Sequence, residues 1–312
     1  MSACCLADSS AAAVRIEELA TGVFAYIQPG GSWWINNCGF LTAGERTVLI
    51  DTCATEQRTR RLLAEVGRVT ATAVSTVVNT HHHGDHTNGN YLTGAATIIG
   101  HRITRELMIA AGIQRYEQAF EGITWGGLRL RPPDVTFEDA LTLYAGQTRV
   151  ELRWAGHAAH TTSDVLVWLP EQSILFAGDL VVNGTTPFAL MGSLAGWRVA
   201  LQRIREIKAR TIIPGHGDVC GPGQIEVVDD YLAFVQRAAR EGINAGLTPL
   251  RLARDLDLGE FAALSDSERI VANLHRAYAE LEGHPRGVPL DLQLPLRDMI
   301  ALNGGQRIRC FA

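Results

Sequence analysis

The stretch THHHGDHTNGN, residues 80–90, carries the strongest structural signal in this sequence. Four histidines and Asp85 fall within six consecutive positions of it. Imidazole rings need hydrogen-bond partners and repel one another when protonated, so a cluster of this density indicates a bound cation. The preceding residues, AVSTVVN (73–79), are rich in β-branched side chains and predict a buried strand that ends at the cluster.

The spacing within the cluster predicts two adjacent divalent metal ions. On an extended chain, residues two apart point to the same side, so His81 and His83 are expected to share one cation. Asp85 and His86 then turn towards a second cation, while His82 faces away as a hydrogen-bonded structural ring. Neutral imidazoles and carboxylates suit zinc first, with iron or manganese as alternatives.

Four further β-branched runs have polar residues at or next to their ends. They are RTVLIDT (46–52), SDVLVWLP (163–170), SILFAGD (173–179) and RTIIPGHG (210–217), and the polar residues are Asp51, His160, Asp179 and His216. Open α/β folds place their ligands at strand ends, so we expect His160, Asp179 and His216 to complete the metal centre.

The resulting ligand set contains seven residues in two groups. The expected arrangement is His81, His83 and His160 on one metal, Asp85, His86 and His216 on the other, and Asp179 bridging both. Three protein ligands with an open position are typical of a catalytic rather than a structural metal site. Asp85 and Asp179 are therefore also the candidate catalytic residues.

Helical patterns alternate with the strand-like runs and indicate the fold class. Segments 55–67 and 196–210 repeat apolar residues at helical spacing. Strands that alternate with helices predict an α/β sandwich of two sheets with helices outside. PEQS (170–173) predicts a tight hairpin turn between two of the strands.

The character of the chain changes after about residue 222. The rest is mostly helical, so we expect a metal-binding domain over 1–222 and a helical C-terminal extension over 223–312 that packs on it. Ser265 and Glu268 resemble a capping box that opens a helix over 265–283. The apolar stripe of that helix predicts core packing, with a lid or a homodimer contact as the alternative.

These motifs resemble the metallo-β-lactamase fold superfamily, whose signature is HxHxDH followed by a lone His, a bridging Asp and a final His. The resemblance covers roughly residues 14–222 and implies an αββα sandwich with the metal pair in a groove along one edge. It also implies that Asp51 supports the ligands without binding metal. The spacing in HTTSDVLVWLP favours His160 over His157 as the lone histidine, which leaves His157 as a wall residue or substrate contact.

In carrying a bridging carboxylate, Asp179, the sequence resembles the glyoxalase, lactonase and thioesterase branches of that superfamily. Three longer segments, residues 131–146, 178–196 and 247–281, are similar to second-ring cyclases of actinorhodin-type aromatic (type II) polyketide pathways. This similarity implies an enzyme that acts on an aromatic polyketide borne by an acyl carrier protein. Such an enzyme closes the second ring by intramolecular aldol condensation, and thioester hydrolysis is an additional possibility left open.

Candidate substrate contacts come from loops near the ligand segments. PGGSWWINNCGF (29–40) carries two large apolar residues on a glycine-rich loop, where they line a binding mouth or anchor the loop in the core. The same alternatives apply to the apolar residues after the bridging aspartate, and two asparagines are candidate hydrogen-bond donors. The full set is Trp33, Trp34, Asn90, His157, Asn183, Phe188 and Met191.

Composition narrows the remaining classes of function. A net charge of −5 argues against nucleic acid as a partner. The N-terminal residues show no signal-peptide pattern, and no apolar run has the length of a membrane helix, so we expect a cytoplasmic protein without membrane contact. The six cysteines form no CxxC pair and are expected to be reduced thiols. A plain lactonase or acyl-thioester hydrolase, and a metal-containing binding protein without activity, stay open as alternative functions.

Overall fold

The computed structural model of the protein describes residues 14–312, so Cys4 and Cys5 lie outside the described residues. The strands of the two main sheets are β1 (Arg15–Ala20), β2 (Val23–Ile27), β3 (Cys38–Ala43), β4 (Arg46–Ile50), β5 (Val74–Val78), β6 (Thr97–His101), β8 (Val135–Phe137), β9 (Ala140–Ala145), β10 (Thr148–Trp154), β11 (Val165–Leu169), β12 (Ile174–Val182) and β13 (Thr211–His216). A small parallel pair is formed by β7 (Phe120–Glu121) and β14 (Ile308–Arg309). The helices are α1 (Glu56–Val69), α2 (Gly84–Thr87), α3 (Arg102–Ala111), α4 (Leu194–Ile207), α5 (Gly223–Asn244), α6 (Pro249–Asp255), α7 (Arg269–Leu281) and α8 (Gln293–Leu302).

The first sheet has the strand order β1-β2-β3-β4-β5-β6-β8. Its first four strands pair in antiparallel fashion, and the pairs β4–β5, β5–β6 and β6–β8 are parallel. The parallel part arises because α1 crosses from the end of β4 to the start of β5, as parallel neighbours require. The carboxyl ends of β4 and β5 therefore lie side by side, and the histidine cluster follows β5 at that edge.

The second sheet has the order β13-β12-β11-β10-β9. The pairs among β9 to β12 are antiparallel, and β12 pairs with β13 in parallel, so Asp179 and His216 end up on neighbouring strands. The predicted hairpin turn over 170–173 joins β11 to β12. An apolar cluster from facing strands, including Ile50, Val78 and Phe176, fills the space between the two sheets.

Helices cover both outer faces, which gives the predicted αββα sandwich. On one side α1 buries Leu62 and Val66 against the outer face of the first sheet. On the other side α4 and α5 pack on β12, and Trp197 of α4 is fully buried there. The α/β sandwich expected from the sequence is thus confirmed. Each helix has an apolar stripe because it has only one face against a sheet.

The C-terminal third consists of α5 to α8 with short connections. Its apolar side chains, such as Tyr231 and Leu274, share one hydrophobic cluster with Trp197 and with the loop that carries Trp33. The division of the chain at residue 222 stays a prediction. None of the helices in the described part of the chain combines the length and apolar composition that a membrane crossing requires.

The predicted capping box at Ser265 is wrong. Helix α7 begins only at Arg269, and the backbone of Ser265 instead pairs with the loop after β12 through Gly184 and Thr186. Its N–H donates to the Gly184 oxygen at 3.1 Å, and its own oxygen accepts from the Thr186 N–H at 3.0 Å. The carboxylate of Glu268 accepts from the indole of Trp33, so it does not return to the helix terminus.

Candidate metal centre

Four chain segments bring the predicted ligands to one edge of the sandwich. The loop 80–83 and the short helix α2 follow β5, His160 lies between β10 and β11, Asp179 lies within β12, and His216 ends β13. Their donor atoms form two buried groups, each within 4.8 Å, which are His81, His83, His160 and Asp179, and then Asp85, His86 and His216. The structure therefore brings all seven predicted ligands together in two adjacent groups.

Asp179 lies between the two groups. Its Oδ1 atom lies 3.1 Å from Nε2 of His86, and its Oδ2 atom lies 3.3 Å from Nε2 of His160. Oδ2 is also 3.4 Å from Nε2 of His216, which in turn lies 3.3 Å from Oδ2 of Asp85. The carboxylate thus contacts rings of both groups, which is the position of a bridging ligand.

Several buried polar atoms of the centre have no hydrogen-bond partner among residues 14–312. They are Nε2 of His81, Nε2 of His86 and Oδ1 of Asp179. The last two lie close together but lack hydrogen-bond geometry. Leaving a buried polar atom unsatisfied is costly, and such atoms indicate a position for a water molecule or an ion. A pair of divalent cations fits these atoms and the surrounding donor set of five imidazoles and two carboxylates.

The ligand histidines are fixed in place through the ring nitrogen that faces away from the centre. The Nδ1 contacts are to Thr80 Oγ1 for His81, Asp51 Oδ2 for His86, the Phe188 oxygen for His160 and the Ile35 oxygen for His216, at 3.0, 2.8, 2.8 and 2.9 Å. Partners of this kind set the tautomer and orientation of metal-binding histidines. In these four rings Nε2 is directed at the metal positions.

His83 is arranged differently from the other four. Its Nδ1 atom faces Nε2 of His160 at 3.0 Å, while its Nε2 atom lies 3.2 Å from the sulfur of Met191. A thioether is a weak acceptor, so this contact holds the ring mainly by packing. Nδ1 is thus the ligand atom that His83 offers to its group.

Opposite charges balance one another within the centre. Burial alone would lower the pKa of His86, but the nearby carboxylates, those of Asp179 and Asp85 foremost, raise it well above its usual value. The same opposition applies to His216, whose pKa the two carboxylates raise to about 9. Burial would raise the pKa of Asp179, but the histidines hold it well below its usual range. The centre thus keeps its carboxylates ionised, as cation binding requires.

Burial dominates at the remaining rings of the cluster. It lowers the pKa of His81 and of His83 well below the usual value, so these rings are neutral. Burial also lowers the pKa of His82 to about 3, and its Nδ1 contacts Ser163 Oγ at 3.2 Å. His82 lies outside both ligand groups, in the orientation that the sequence predicts.

Gly215 of the PGHG motif (214–217) lies too close to Asp179 to carry a side chain. A Cβ atom at Gly215 would lie 1.9 Å from Oδ1 of Asp179. Residue 215 must therefore lack a side chain for the carboxylate on the neighbouring strand to keep its position.

A cavity of about 60 Å³ opens above the ligand groups. The predicted ligands at its floor include Asp85, Asp179 and His216, and its walls are mostly apolar, with several aromatic residues among them. The aromatic residues are Trp33, Trp34, Tyr116, Phe120 and Phe188. A small cavity with apolar walls and convergent polar groups at one end is the usual form of an enzyme site.

The two tryptophans are buried wall residues of this cavity. The indole N–H of Trp33 donates to Glu268 at 2.6 Å, and the guanidinium of Arg269 lies 4.0 Å from the centre of its ring. Trp34 has a positive φ of 66°, which is uncommon for a bulky residue and is typical of functional segments. Within the described chain, Nε1 of Trp34 and Nε of Arg269 have no hydrogen-bond acceptor.

The structure brings four of the seven predicted substrate contacts to the cavity, namely Trp33, Trp34, Phe188 and Met191. The other three predicted contacts do not line the cavity, and their polar groups form contacts with loop atoms instead. The Asn90 amide donates to Asn79 Oδ1 and the Arg131 oxygen, the Asn183 amide to the Asp218 oxygen, and His157 Nε2 contacts the Gly196 oxygen. Asn90, Asn183 and His157 therefore do not line this cavity, and their assignment as substrate contacts stays a prediction.

The cavity also contains residues that the sequence analysis did not identify. Gln114, Tyr116 and Phe120 come from the segment between α3 and β8, which includes β7, and Arg269, Leu292 and Leu296 lie at the starts of α7 and α8. These residues carry no motif, and they are far in sequence from the ligand segments. The i, i+4 spacing of Leu292 and Leu296 would have indicated a shared apolar face, but not the partner of that face.

Comparison with known proteins agrees with this arrangement. Residues 31–216 match the family model described as the metallo-beta-lactamase superfamily. The beta-lactamase-like protein 2 homolog of Caenorhabditis elegans is 29% identical over 212 residues, which cover 66% of this chain and 63% of that protein. The chain thus spans less than two thirds of the length of that relative.

Two metallo-beta-lactamases provide further comparisons. The metallo-beta-lactamase type 2 of Bacteroides fragilis is 24% identical over 233 residues, covering 70% of this chain and 87% of that protein. The solved structure of a metallo-beta-lactamase from Pontibacter korlensis has a TM-score of 0.59 at 23% identity, and it covers 71% of this chain and 99% of its own. At that identity the structural likeness shows the fold alone.

Proposed function

The chain belongs to the metallo-beta-lactamase superfamily, and on that premise we propose that it is a metal-dependent enzyme acting on an aromatic acyl thioester. In our proposal the substrate is a partly cyclised aromatic polyketide borne by an acyl carrier protein. The enzyme closes the second ring by intramolecular aldol condensation and hydrolyses the thioester. The ions that we propose for the two ligand groups are zinc.

One observation carries this proposal: the aromatic cavity opens directly onto the carboxylates and imidazoles of both ligand groups. A flat acyl group between Trp34 and Phe188 would place its carbonyl at the floor of the cavity, beside Asp85 and Asp179. Aromatic walls favour a flat aromatic substrate over a small polar one, because the apolar faces of both the substrate and the walls are removed from water when they come into contact.

Bound divalent ions supply Lewis acidity towards carbonyl oxygens and lower the pKa of water to about 7. The chain's own residues hold and orient the substrate. The unsatisfied N–H groups of Trp34 and Arg269 are suited to donate hydrogen bonds to oxygen substituents of an aromatic ring. The apolar walls exclude bulk water, which strengthens every polar contact at the floor.

A plain acyl-thioester hydrolase or lactonase is the second candidate. It is favoured by the relatives, which include metallo-beta-lactamases and a hydroxyacylglutathione hydrolase of Rhodospirillum rubrum that is 26% identical over 140 residues. Both candidates use the same ligand groups and the same cavity. They differ only in whether a carbon–carbon bond forms before the thioester is cleaved.

The test incubates zinc-loaded protein with an aromatic polyketide thioester on its carrier protein and identifies the products by mass spectrometry. A product that has lost water and gained a ring supports the cyclase. Release of the uncyclised acid alone supports the plain hydrolase. Recovery of the unchanged thioester would overturn both candidates and leave a metal-containing binding protein.

The matched control is the variant Asp298→Asn. Asp298 forms a buried carboxylate–histidine pair with His275 at 2.8 Å, remote from the ligand groups. This variant removes a buried charge of the same kind as Asp179→Asn without touching the centre. Activity that is lost in Asp179→Asn and kept in Asp298→Asn assigns the reaction to the metal centre.

A further inference from the structure

A second, larger depression adjoins the metal-centre cavity. This groove, of about 480 Å³, lies between residues 116–118 and the start of helix α8. Tyr116, Leu292 and Leu296 line both the groove and the cavity, so the two spaces meet at these side chains. We call the contact between them the neck.

The sizes of the two spaces restrict how a substrate lies. The cavity of about 60 Å³ offers about four to six water-sized positions, which is room for the reacting carbonyl and the ring system beside it. A larger substrate must continue through the neck, past Tyr116, Leu292 and Leu296. The groove is the space into which it continues.

The chemistry of the groove differs from that of the cavity. Its base is apolar, formed by Leu292, Leu296 and Ile300 together with the ring of Tyr116. Its rim is polar and exposed, and it consists of Gln118, Asp291, Gln293 and Arg297. Methylene groups suit such a base, and amide groups suit a rim of two glutamines, one acid and one arginine.

We propose that this groove binds the thiol-side arm of the thioester, a flexible pantetheine-like chain of methylene and amide groups. The inference rests on the proposed function, because it takes the thioester carbonyl to lie at the metal centre. The arm runs from the cavity through the neck and along α8 to the surface. The exposed rim lets the arm continue to a carrier protein outside, where Arg297, with 74% of its side chain exposed, faces an acidic partner.

The groove wall is fixed rigidly enough to select a ligand. Met299 of α8 is fully buried in the apolar core that α8 shares with α7. Helix α8 thus presents its outer residues to the groove from a fixed position. Gln293 lines the groove, whereas its neighbour Leu294 is 46% exposed and lies outside it.

The test compares two benzoyl thioesters that differ only in the thiol, pantetheine or the shorter N-acetylcysteamine. Gln293→Trp blocks the groove, and Leu294→Trp adds the same bulk next to it. For Gln293→Trp we expect kcat/KM to fall about tenfold with the pantetheine thioester, the loss expected when a few methylene groups are no longer buried. The N-acetylcysteamine thioester should react unchanged, and Leu294→Trp should leave both substrates unchanged.

Equal losses on the two thioesters in Gln293→Trp, or no loss on either, would overturn the assignment of the arm to the groove.

A separate binding measurement keeps the inference independent of turnover. The benzyl thioether of pantetheine cannot be hydrolysed, and its binding is measured by titration calorimetry in the presence of a chelator. Binding to the wild type and to Leu294→Trp, but not to Gln293→Trp, supports the groove even if neither thioester is cleaved. Equal binding to all three proteins, or none to the wild type, refutes it.

Discussion

Nδ1 of His86 lies 2.8 Å from Oδ2 of Asp51, at the point where β4 ends beside β5. The same carboxylate accepts from the Thr80 N–H at 2.8 Å and from its hydroxyl at 2.7 Å. Asp51 has a positive φ of 60°, a strained conformation for a residue with a side chain. The Asp51 carboxylate therefore orients the His86 ring and also fixes the start of the loop 80–83. The strained backbone at Asp51 is kept because this orientation depends on it.

We predict that Asp51→Ala weakens metal binding while every ligand stays present. The His86 ring loses the partner that fixes its tautomer, and changes of this kind typically cost about 10- to 100-fold in metal affinity. Competition with a chromophoric zinc chelator measures the change. The control Asp298→Asn also disrupts a buried carboxylate–histidine pair, and its zinc affinity should equal that of the wild type. Equal losses in both variants would show a general effect on folding.

We predict that His83→Ala and Asp179→Ala each abolish turnover and leave the sandwich folded. Asp179 is the only carboxylate placed between the two ligand groups in the described chain, so its removal should release metal from both. Neither side chain belongs to the apolar cluster between the sheets. Elemental analysis should show less than two zinc ions per chain, and circular dichroism should match the wild type. Full activity in either variant would contradict the proposed reaction centre.

We predict that Gly215→Ala damages the metal centre, although it adds only one methyl group. That group would lie 1.9 Å from Asp179 Oδ1, so the carboxylate or the backbone of β13 must move. Gly221→Ala is the matched control, because no atom lies within 4 Å of the added methyl among the residues described. Zinc content and kcat should fall in the first variant and stay unchanged in the second. Equal zinc content in the two variants would show that the strand adjusts without moving Asp179.

The metal ligands could be predicted from the sequence because each lies at or near the end of a β-branched run. His81 follows β5, Asp179 lies in the second half of β12 and His216 ends β13, and the parallel pairs β4–β5 and β12–β13 align these positions, so local pattern and global topology agree. The choice of His160 over His157 followed from the spacing that the family resemblance implies. In the structure His160 joins the ligand group, while His157 Nε2 contacts the Gly196 oxygen instead.

The cavity walls could not be predicted in the same way, because they depend on long-range packing. Arg269 reaches the cavity only because α7 packs against the Trp33 loop. Asn90 appeared to be a free donor in the sequence, yet in the structure it bonds to Asn79 and Thr52 between two loops. The capping box failed for the same reason, since Ser265 pairs with a loop 80 residues earlier in the chain. Local patterns carry no information on such partners.

We predict that metal removal lowers the thermal stability of the folded chain. On chelation, the buried atoms of His81 and Asp179 that have no other partner lose their cation. A ligand present at 100 times its Kd raises the free energy of unfolding by about 2.7 kcal/mol, and this contribution is lost. At about 2–4 °C per kcal/mol for a chain near this size, the melting temperature should fall by about 5–10 °C on chelation. Scanning calorimetry with and without chelator measures it, and added zinc should restore the original value. An unchanged melting temperature would contradict tight metal binding by the folded state.

We predict that Trp34→Phe raises KM for aromatic substrates that carry ring oxygens. The substitution keeps an aromatic wall but removes the indole N–H, which has no acceptor within residues 14–312. A hydrogen bond contributes about 1 kcal/mol to the free energy of substrate binding. Its loss should therefore raise KM about fivefold while kcat changes little. A thioester of the same ring without oxygens is the control substrate, and it should react equally with the two proteins. Trp33→Phe is a poor substitute for this test, because its N–H already donates to Glu268 at 2.6 Å. If Trp34→Phe raises KM equally for both substrates, the indole acts only as an apolar wall.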